Sequence, residues 1–415
     1  MLSSKRILFI SALDFKKKSI QVIRKTPEAF VADGWDVDYL LARDGAKKGN
    51  YFYEDEINPE GVNIIRLKWK LTWLRNIMPG VFHTIATKFA SYRTAWMLYK
   101  KAKQLVKENK YDVVYGYEIH GVLAVSRLTK QNLISKSKIV SRFQGTWLAL
   151  YYLSNNTRKL KLNKEAIFAL NQASDLCIMT NDGTQGDLAM EKLGDLDKHG
   201  KFVFWTNGVD SQEVPVNQTT PLIEKFKANG EFVFLTVSRL ESWKRVERGI
   251  NSFIAFKKAN PTLKARLIIV GEGSCKPELE ALASQSEFKD LINFTGGVAH
   301  HEVKNFLNIA DAFVSMYDLS NVGNPLLEAI RANKIIFTLN NGDTSSWITH
   351  EENGFIYEVN ESLTESAAKD FAEIISNDAL KSKIQTNIKK TEADKLWTWE
   401  QRMAAEISEV NQLLN

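Results

Sequence analysis

Two cations, Arg239 and Lys244, stand in SRLESWKRVERG, directly after the apolar run Phe232–Val237. Two cations on one strand-to-helix connection suit a diphosphate. They would stabilise it as a leaving group, because charge builds on it as the bond breaks. The same residues also read as ordinary charges on a surface loop. A second stretch, NVGNPLLEA, follows the run Ala312–Met316. Here Asn324 is the expected N-cap and Pro325 the expected first helical residue. Glu328 is then expected in the first turn, at the helix end whose amides attract phosphate. A carboxylate is a poor phosphate ligand but a good acceptor for vicinal sugar hydroxyls. The alternative for Glu328 is simple complementation of the helix dipole. A third stretch, Gly271–Gly273 (GEG), also follows a strand but lacks the full dinucleotide glycine fingerprint.

These stretches need elements to hold them. Short apolar runs alternate with longer amphipathic stretches along the chain, which predicts parallel sheets covered by helices. Predicted strands are Ile7–Ile10, Val37–Leu41, Ile64–Leu67, Val113–Tyr115, Ile139–Ser141, Leu176–Met179 and Phe202–Trp205. After a polar stretch, Ser211–Thr220, read as a linker, the alternation restarts at Phe232–Val237. It continues with Arg266–Val270, Leu291–Thr295, Ala312–Met316, Lys334–Thr338 and Phe355–Glu358. The expected fold is α/β, with two Rossmann-like, doubly wound domains facing across a cleft. Their expected limits are 1–210 and 211–398, and a helix is expected over 399–414. Ligands of such sheets bind at the carboxyl ends of the strands. All three suggestive loops occupy that end of the second sheet.

Composition excludes several classes. The chain has 415 residues, a net charge of +6 and two cysteines, so no disulfide framework is implied. Cys177 reads as a buried strand residue and Cys275 as a loop residue. No apolar stretch has the length of a signal-peptide core or a membrane span, which predicts a cytoplasmic protein. Charge is uneven, since no acidic residue falls between Glu60 and Glu108. Arg66, Lys68, Lys70, Arg75, Lys88, Arg93, Lys100, Lys101, Lys103 and Lys107 lie there, with Trp69, Trp73, Phe82, Phe89, Trp96 and Tyr99 interleaved. Region 66–107 suits an anionic membrane surface, predicting peripheral association at the inner face. Within it, Ile85, Phe89, Tyr92, Trp96 and Tyr99 recur at helical spacing and are expected to face the core. No nucleic-acid-binding module accompanies the charge. Asp36-Val37-Asp38 matches a short acidic metal motif, but at a strand remote from the phosphate loops. His300 and His301 read as cap or solvent-exposed residues. No metal site is expected.

The ordered set SRL…KR, VGEG, FTGGV, NVGNPLLEA and NGFIY resembles the C-terminal half of retaining glycosyltransferases of family four. It covers roughly residues 230–358 and is supported by TNGVD at Thr206–Asp210 and by WTWEQRMAAEI at the end. The resemblance implies the GT-B fold and a nucleotide-diphosphate sugar as donor, without a further cofactor. Arg239 and Lys244 would hold the diphosphate. Glu328 would match the second glutamate of the family's Glu-x7-Glu motif and bind ribose. Gly323 and Asn324, with the backbone of Pro325 to Leu327, would border sugar and phosphates, with Gly273 close by. Val298 would lie near the base. The last helix would pack on the first domain.

Three positions depart from the family pattern. The first glutamate of the motif falls on Ser320, with Asp318 or Asn321 available to take over its sugar contact. The family's histidine at an N-domain strand end corresponds to Gln144, which could orient a hydroxyl but not act as a base. The usual glycine-rich loop after the first strand is replaced by SALDFKKKS. There Lys16, Lys17 and Lys18 read as a solvated loop or as phosphate contacts. In the family, retention is explained by front-face attack, with the departing phosphate helping to take the acceptor proton. The protein then mainly positions the reactants and stabilises the leaving group. On the acceptor side, Glu118 and His120 in GYEIHG follow a strand; for His120 a structural hydrogen bond fits as well. The reading is a retaining, metal-independent transferase acting on a glycan or lipid-linked acceptor in cell-surface polysaccharide synthesis. The alternatives are a non-catalytic nucleotide-sugar-binding subunit, and a same-fold isomerase or hydrolase of the donor.

Overall fold

The strands are near-continuous apolar runs because both faces of each sheet are covered by helices. All residues of Val113–Tyr117, Leu176–Asn181 and Ile335–Leu339 are buried. The computed structural model describes residues 5–15, 21–43, 57–68 and 80–415. Lys16, Lys17, Lys18, Trp69, Lys70, Trp73 and Arg75 lie outside these ranges. The described chain forms two units, Met1–Asn207 with Trp399–Asn415, and Gly208–Thr398.

The first unit runs β1 (Arg6–Ser11), α1 (Gln21–Ala32), β2 (Asp36–Arg43), β3 (Val62–Lys68), α2 (Gly80–Glu108), β4 (Val113–Tyr117) and α3 (Glu118–Lys130). It continues with β5 (Lys138–Phe143), α4 (Leu148–Leu153), α5 (Thr157–Leu162), α6 (Lys164–Leu170), β6 (Leu176–Asn181), α7 (Gly186–Leu193) and β7 (Phe202–Thr206). The second unit has α8 (Val216–Phe226), β8 (Phe232–Val237), α9 (Val246–Ala259), β9 (Ala265–Val270), α10 (Lys276–Ser284), β10 (Ile292–Gly296) and α11 (His300–Ile309). Then come β11 (Ala312–Ser315), α12 (Asn324–Arg331), β12 (Ile335–Leu339), β13 (Phe355–Tyr357), α13 (Leu363–Ser376) and α14 (Asp378–Lys395). Helix α15 (Trp399–Gln412) belongs to the first unit.

The first sheet has 7 parallel strands in the order β3-β2-β1-β4-β5-β6-β7. The second has 6, ordered β10-β9-β8-β11-β12-β13. Both are doubly wound, with the strand order reversing between β1 and β4 and between β8 and β11. The loops leaving the carboxyl ends at such a reversal diverge and open a ligand crevice.

Helix α15 is fixed by a buried ionic cluster. Glu406 binds the Arg142 guanidinium of β5, accepts from Arg402 at 2.9 Å and accepts from Tyr115 Oη at 2.5 Å. Trp399, Met403 and Val410 complete the packing by joining Ile7, Phe9 and Phe30 in one apolar core.

Two expectations are corrected, those for the linker and for the aromatic stripe, and two further readings gain detail. The linker Ser211–Thr220 contains the start of α8, because Phe226 and Leu222 have a core to enter. Cys275 lies in the turn before α10, as its loop reading expects, and takes the cap position of that helix. Asp38, in the acidic stretch where no metal site is expected, is bonded by Arg6 (2.8 Å), Asn63 (2.6 Å) and Tyr111 (2.6 Å). The aromatic stripe of α2 faces outward, with Phe82 68%, Ile85 60%, Phe89 65%, Tyr92 59% and Trp96 41% exposed. The small residues Ala90, Ala95 and Ala102, with Leu98 and Leu105, form the opposite, buried face. Both faces have helical period, and small side chains permit the closer approach to the sheet.

Candidate functional site

At the strand reversal of the second sheet, the loops after β8 and β11 are joined. Asp318 N donates to Trp243 O (3.0 Å), and Trp243 and Tyr317 meet edge to face at 5.9 Å. Lys244 ends a single 3-10 turn, Ser242–Lys244, and its Nζ lies 3.9 Å from the Trp243 ring centroid and 3.7 Å from that of Tyr317. The ammonium is held by two ring faces, which fix a cation without neutralising it. Arg245 follows with φ +47°, so the chain turns sharply into α9.

Arg239 is exposed on the same loop. Its neighbour Leu240 is clamped by N–H donation to Glu272 O and by acceptance from Cys275 N, both 2.9 Å. This clamp explains the glycines of GEG. A Cβ at Gly271 would sit 1.8 Å from Ser238 O, and one at Gly273 2.3 Å from Leu240 O. Gly273 therefore supports the Arg239 loop by close backbone approach.

Helix α12 starts one residue earlier than expected. Gly323 is the cap, Asn324 is the first helical residue, Pro325 the second, and no side chain caps the end. The first amide bonded within the helix is Leu327 N, to Gly323 O (3.1 Å). Leu327 therefore cannot offer its amide, and its side chain is buried; the first-turn amides are those of Asn324 and Leu326. Val298 packs against the same core.

Glu328 falls in the second turn, not the first, so dipole complementation at the helix start does not account for it. Its side chain is 10% exposed, and Oε1 lies 3.0 Å from His300 Nε2. That bond lifts His300 above the usual histidine range, against partial burial. His300 opens α11 and is solvent-exposed, as expected, and in addition is bonded to Glu328.

Ser320 and Asn321 are buried. Asn321 accepts from Tyr317 N (3.0 Å) and donates to Leu339 O (3.4 Å). Asp318 pairs with Arg248 at 2.8 Å and approaches Arg245 at 3.8 Å. Both substitutes expected for the missing glutamate are therefore engaged elsewhere. Ser320 Oγ instead donates to Asp343 Oδ1 at 2.5 Å. Asp343 carried no local signal, because it is a lone acid in NNGDTSS.

The acceptor-side candidates cluster within the first unit. Glu118 opens α3 with φ +60°, a costly conformation for glutamate, and its Oε1 accepts from Gln144 N at 2.7 Å. Burial pushes its carboxyl up to about 7, against the Gln144 amide and with help from Asp182. Gln144 Oε1 accepts from Tyr117 Oη (3.2 Å) and Thr180 Oγ1 (3.4 Å), which orients the side-chain amide. His120 Nε2 lies 2.8 Å from Ser91 Oγ of α2. Among the described residues, no helix is long and apolar enough to cross a membrane.

Two doubly wound parallel sheets of this order give the chain the GT-B fold. Residues 219–391 match the family model described as glycosyl transferases group 1. The alpha-monoglucosyldiacylglycerol synthase of Acholeplasma laidlawii is 25% identical over 284 residues, 64% of this chain and 67% of that protein. HepE of Anabaena in complex with UDP has a TM-score of 0.69 at 16% identity, covering 98% of this chain and 99% of that one. Sucrose-phosphate synthase of Thermosynechococcus elongatus has a TM-score of 0.71 at 16% identity, covering 99% of each chain. At such identities the solved structures speak for the fold alone.

Proposed function

We propose that the chain transfers a sugar, with retention, from a nucleoside diphosphate sugar to a hydroxyl of a lipid-linked or glycan acceptor, in building cell-surface polysaccharide or glycolipid. The observation that carries this reading is Lys244, an ammonium held between Trp243 and Tyr317 beside the loop that leads into α12. With Arg239 and the first-turn amides of α12, it supplies positive charge where the diphosphate departs. These groups do what a metal ion would do, which is why metal independence is part of the reading. Glu328 is assigned the ribose hydroxyls. The bond from anomeric carbon to phosphate oxygen breaks, the acceptor oxygen bonds to that carbon, and its proton passes to the departing phosphate.

The acceptor class draws on α2. Ser91, which holds His120 near the carboxyl end of β4, lies on the same helix as exposed Ile85, Phe89 and Tyr92. Arg127 stacks over Tyr92 at 5.1 Å and Lys100 over Trp96 at 4.3 Å, so basic groups flank the apolar face. Such a surface suits an anionic bilayer, and the synthase relative is named for a diacylglycerol product. Both points support a cytoplasmic membrane face as the site of the proposed work.

Calorimetry with nucleoside diphosphates and their sugars, followed by turnover assays in EDTA, tests the reading. Selective binding of one nucleotide sugar, lost in Glu328→Ala, supports it, as does loss of transfer in Lys244→Ala. Wild-type turnover by both variants would sink it. Because Gln144 is no base and Ser320 no acid, a donor-binding subunit is the second reading. Tight donor binding with transfer only on adding a partner protein would favour that.

A further inference from the structure

The carboxylate missing at position 320 is present in space, on another loop. The turn after β12 is docked onto the turn after β11. Asn341 Nδ2 donates to Tyr317 O (2.6 Å), Asn321 N donates to Thr344 Oγ1 (3.0 Å) and Ser320 Oγ donates to Asp343 Oδ1 (2.5 Å). Ser320 Oγ also accepts from Val322 N at 3.1 Å, so this hydroxyl is oriented from both sides. Asp343 is partly exposed, whereas Ser320 and Asn321 are buried. The acid held at this place is therefore carried by β12, not by the strand that leads into α12.

We propose that Asp343 contacts the sugar being transferred and helps determine which sugar is accepted. This rests on the donor-site reading above. If the diphosphate lies at Lys244 and the start of α12, the sugar bonded to it lies beside the turn that precedes Gly323. Sugars present hydroxyl donors, and an ionised carboxylate is the strongest side-chain acceptor for them. As the bond to phosphate breaks, positive charge grows on the sugar ring, and a fixed carboxylate nearby opposes that growth least. Asp318 pairs with Arg248 and Asn321 bonds backbone groups, whereas Asp343 is the acid that Ser320 itself reaches.

The test compares bare nucleotides with nucleotide sugars. The probes are UDP, ADP and GDP and their glucose and galactose conjugates, measured by calorimetry on the full chain. In Asp343→Ala, affinity for the bare nucleotide is expected to stay unchanged while that for its sugar conjugate falls about tenfold or more. Asp343→Asn keeps an oxygen to accept from Ser320 and so keeps the loop docked, yet it should show a selective loss of the same kind. Adding Ser320→Glu to Asp343→Ala returns a carboxylate from the other side of the pair and should restore sugar discrimination. Equal losses for nucleotide and conjugate, cured by Asp343→Asn, would leave Asp343 only a loop-holding role and overturn the proposal. So would unchanged conjugate binding in Asp343→Ala. If the wild-type chain binds none of the probes, the donor-site reading fails and this proposal fails with it.

Discussion

His300 Nε2 lies 3.0 Å from Glu328 Oε1, so the residue that opens α11 holds the carboxylate in the second turn of α12. Glu328 is the charged group whose hydrogen bond and charge act on His300. Their hydrogen bond raises His300, against partial burial. The protonated form is therefore favoured below the raised pKa, and its charge is lost as pH rises through it. Losing that charge leaves Glu328 without this counter-charge beside an anionic donor. Donor KM should thus rise with pH in the wild type. His300→Ala should raise it about five- to tenfold at low pH and flatten the profile. His300→Gln, which can still donate near the Nε2 position, should recover part of the affinity. An unchanged pH profile in His300→Ala would remove His300 from donor binding.

Lys244 should matter through kcat. Its ammonium lies against the Trp243 and Tyr317 rings, at the strand reversal where the leaving group is proposed to depart. Lys244→Ala is expected to lower kcat by roughly 100- to 1,000-fold, the range for removing one group that stabilises developing negative charge. Lys244→Arg should not restore it fully, since a planar guanidinium does not fit where two rings hold a compact ammonium. Steady-state kinetics alongside circular dichroism separates this from unfolding.

Glu118 links pH to stability in the first unit. Its carboxyl stays protonated up to about 7 in the folded chain, against an ordinary value near 4.5. The folded state then binds more protons than the unfolded state between those values, so stability falls as pH rises across that interval and is level above it. The full effect is at most on the order of 3 kcal/mol, less where solvent reaches the side chain. Glu118→Gln should abolish this slope. Urea melts from pH 4 to pH 8 would show it, and an identical slope in the variant would discount Glu118.

The Arg142–Glu406–Arg402 cluster should be costly to break. Burial opposes ionisation of Glu406, but the two guanidiniums outweigh it and hold its carboxyl below the usual range. Its contribution is present above the unfolded value and lost as pH falls through the folded one. Glu406→Ala leaves two buried cations with no counter-charge and should destabilise the first unit by roughly 3–5 kcal/mol. Differential scanning calorimetry should show an early transition, and hydrogen exchange should locate the loss in α15 and β5.

The outward face of α2 predicts membrane binding. Sedimentation with vesicles should show preference for anionic over zwitterionic lipid, weakening with salt. Replacing Phe82 and Phe89 with serine should reduce binding without affecting nucleotide-sugar affinity. Equal binding to both vesicle types would point to a protein partner for this face.

The sequence by itself determined the two α/β sheets. Strands buried on both faces are written as continuous apolar runs, and helices between them as amphipathic stretches. Those signals are local, so Phe232–Val237 and Ala312–Met316 were legible together with the loops that follow them. Tertiary structure decided which of two helical faces on α2 meets the sheet, since Ala90, Ala95 and Ala102 and the aromatic stripe carry the same period. It also decided the partners at the site. His300 and Glu328 are 28 residues apart, and Ser320 and Asp343 are 23 apart. A hydrogen bond between such residues depends on how two loops dock at one sheet end. No periodicity encodes that docking, because it is fixed by strand order and by close approaches such as those at Gly271 and Gly273.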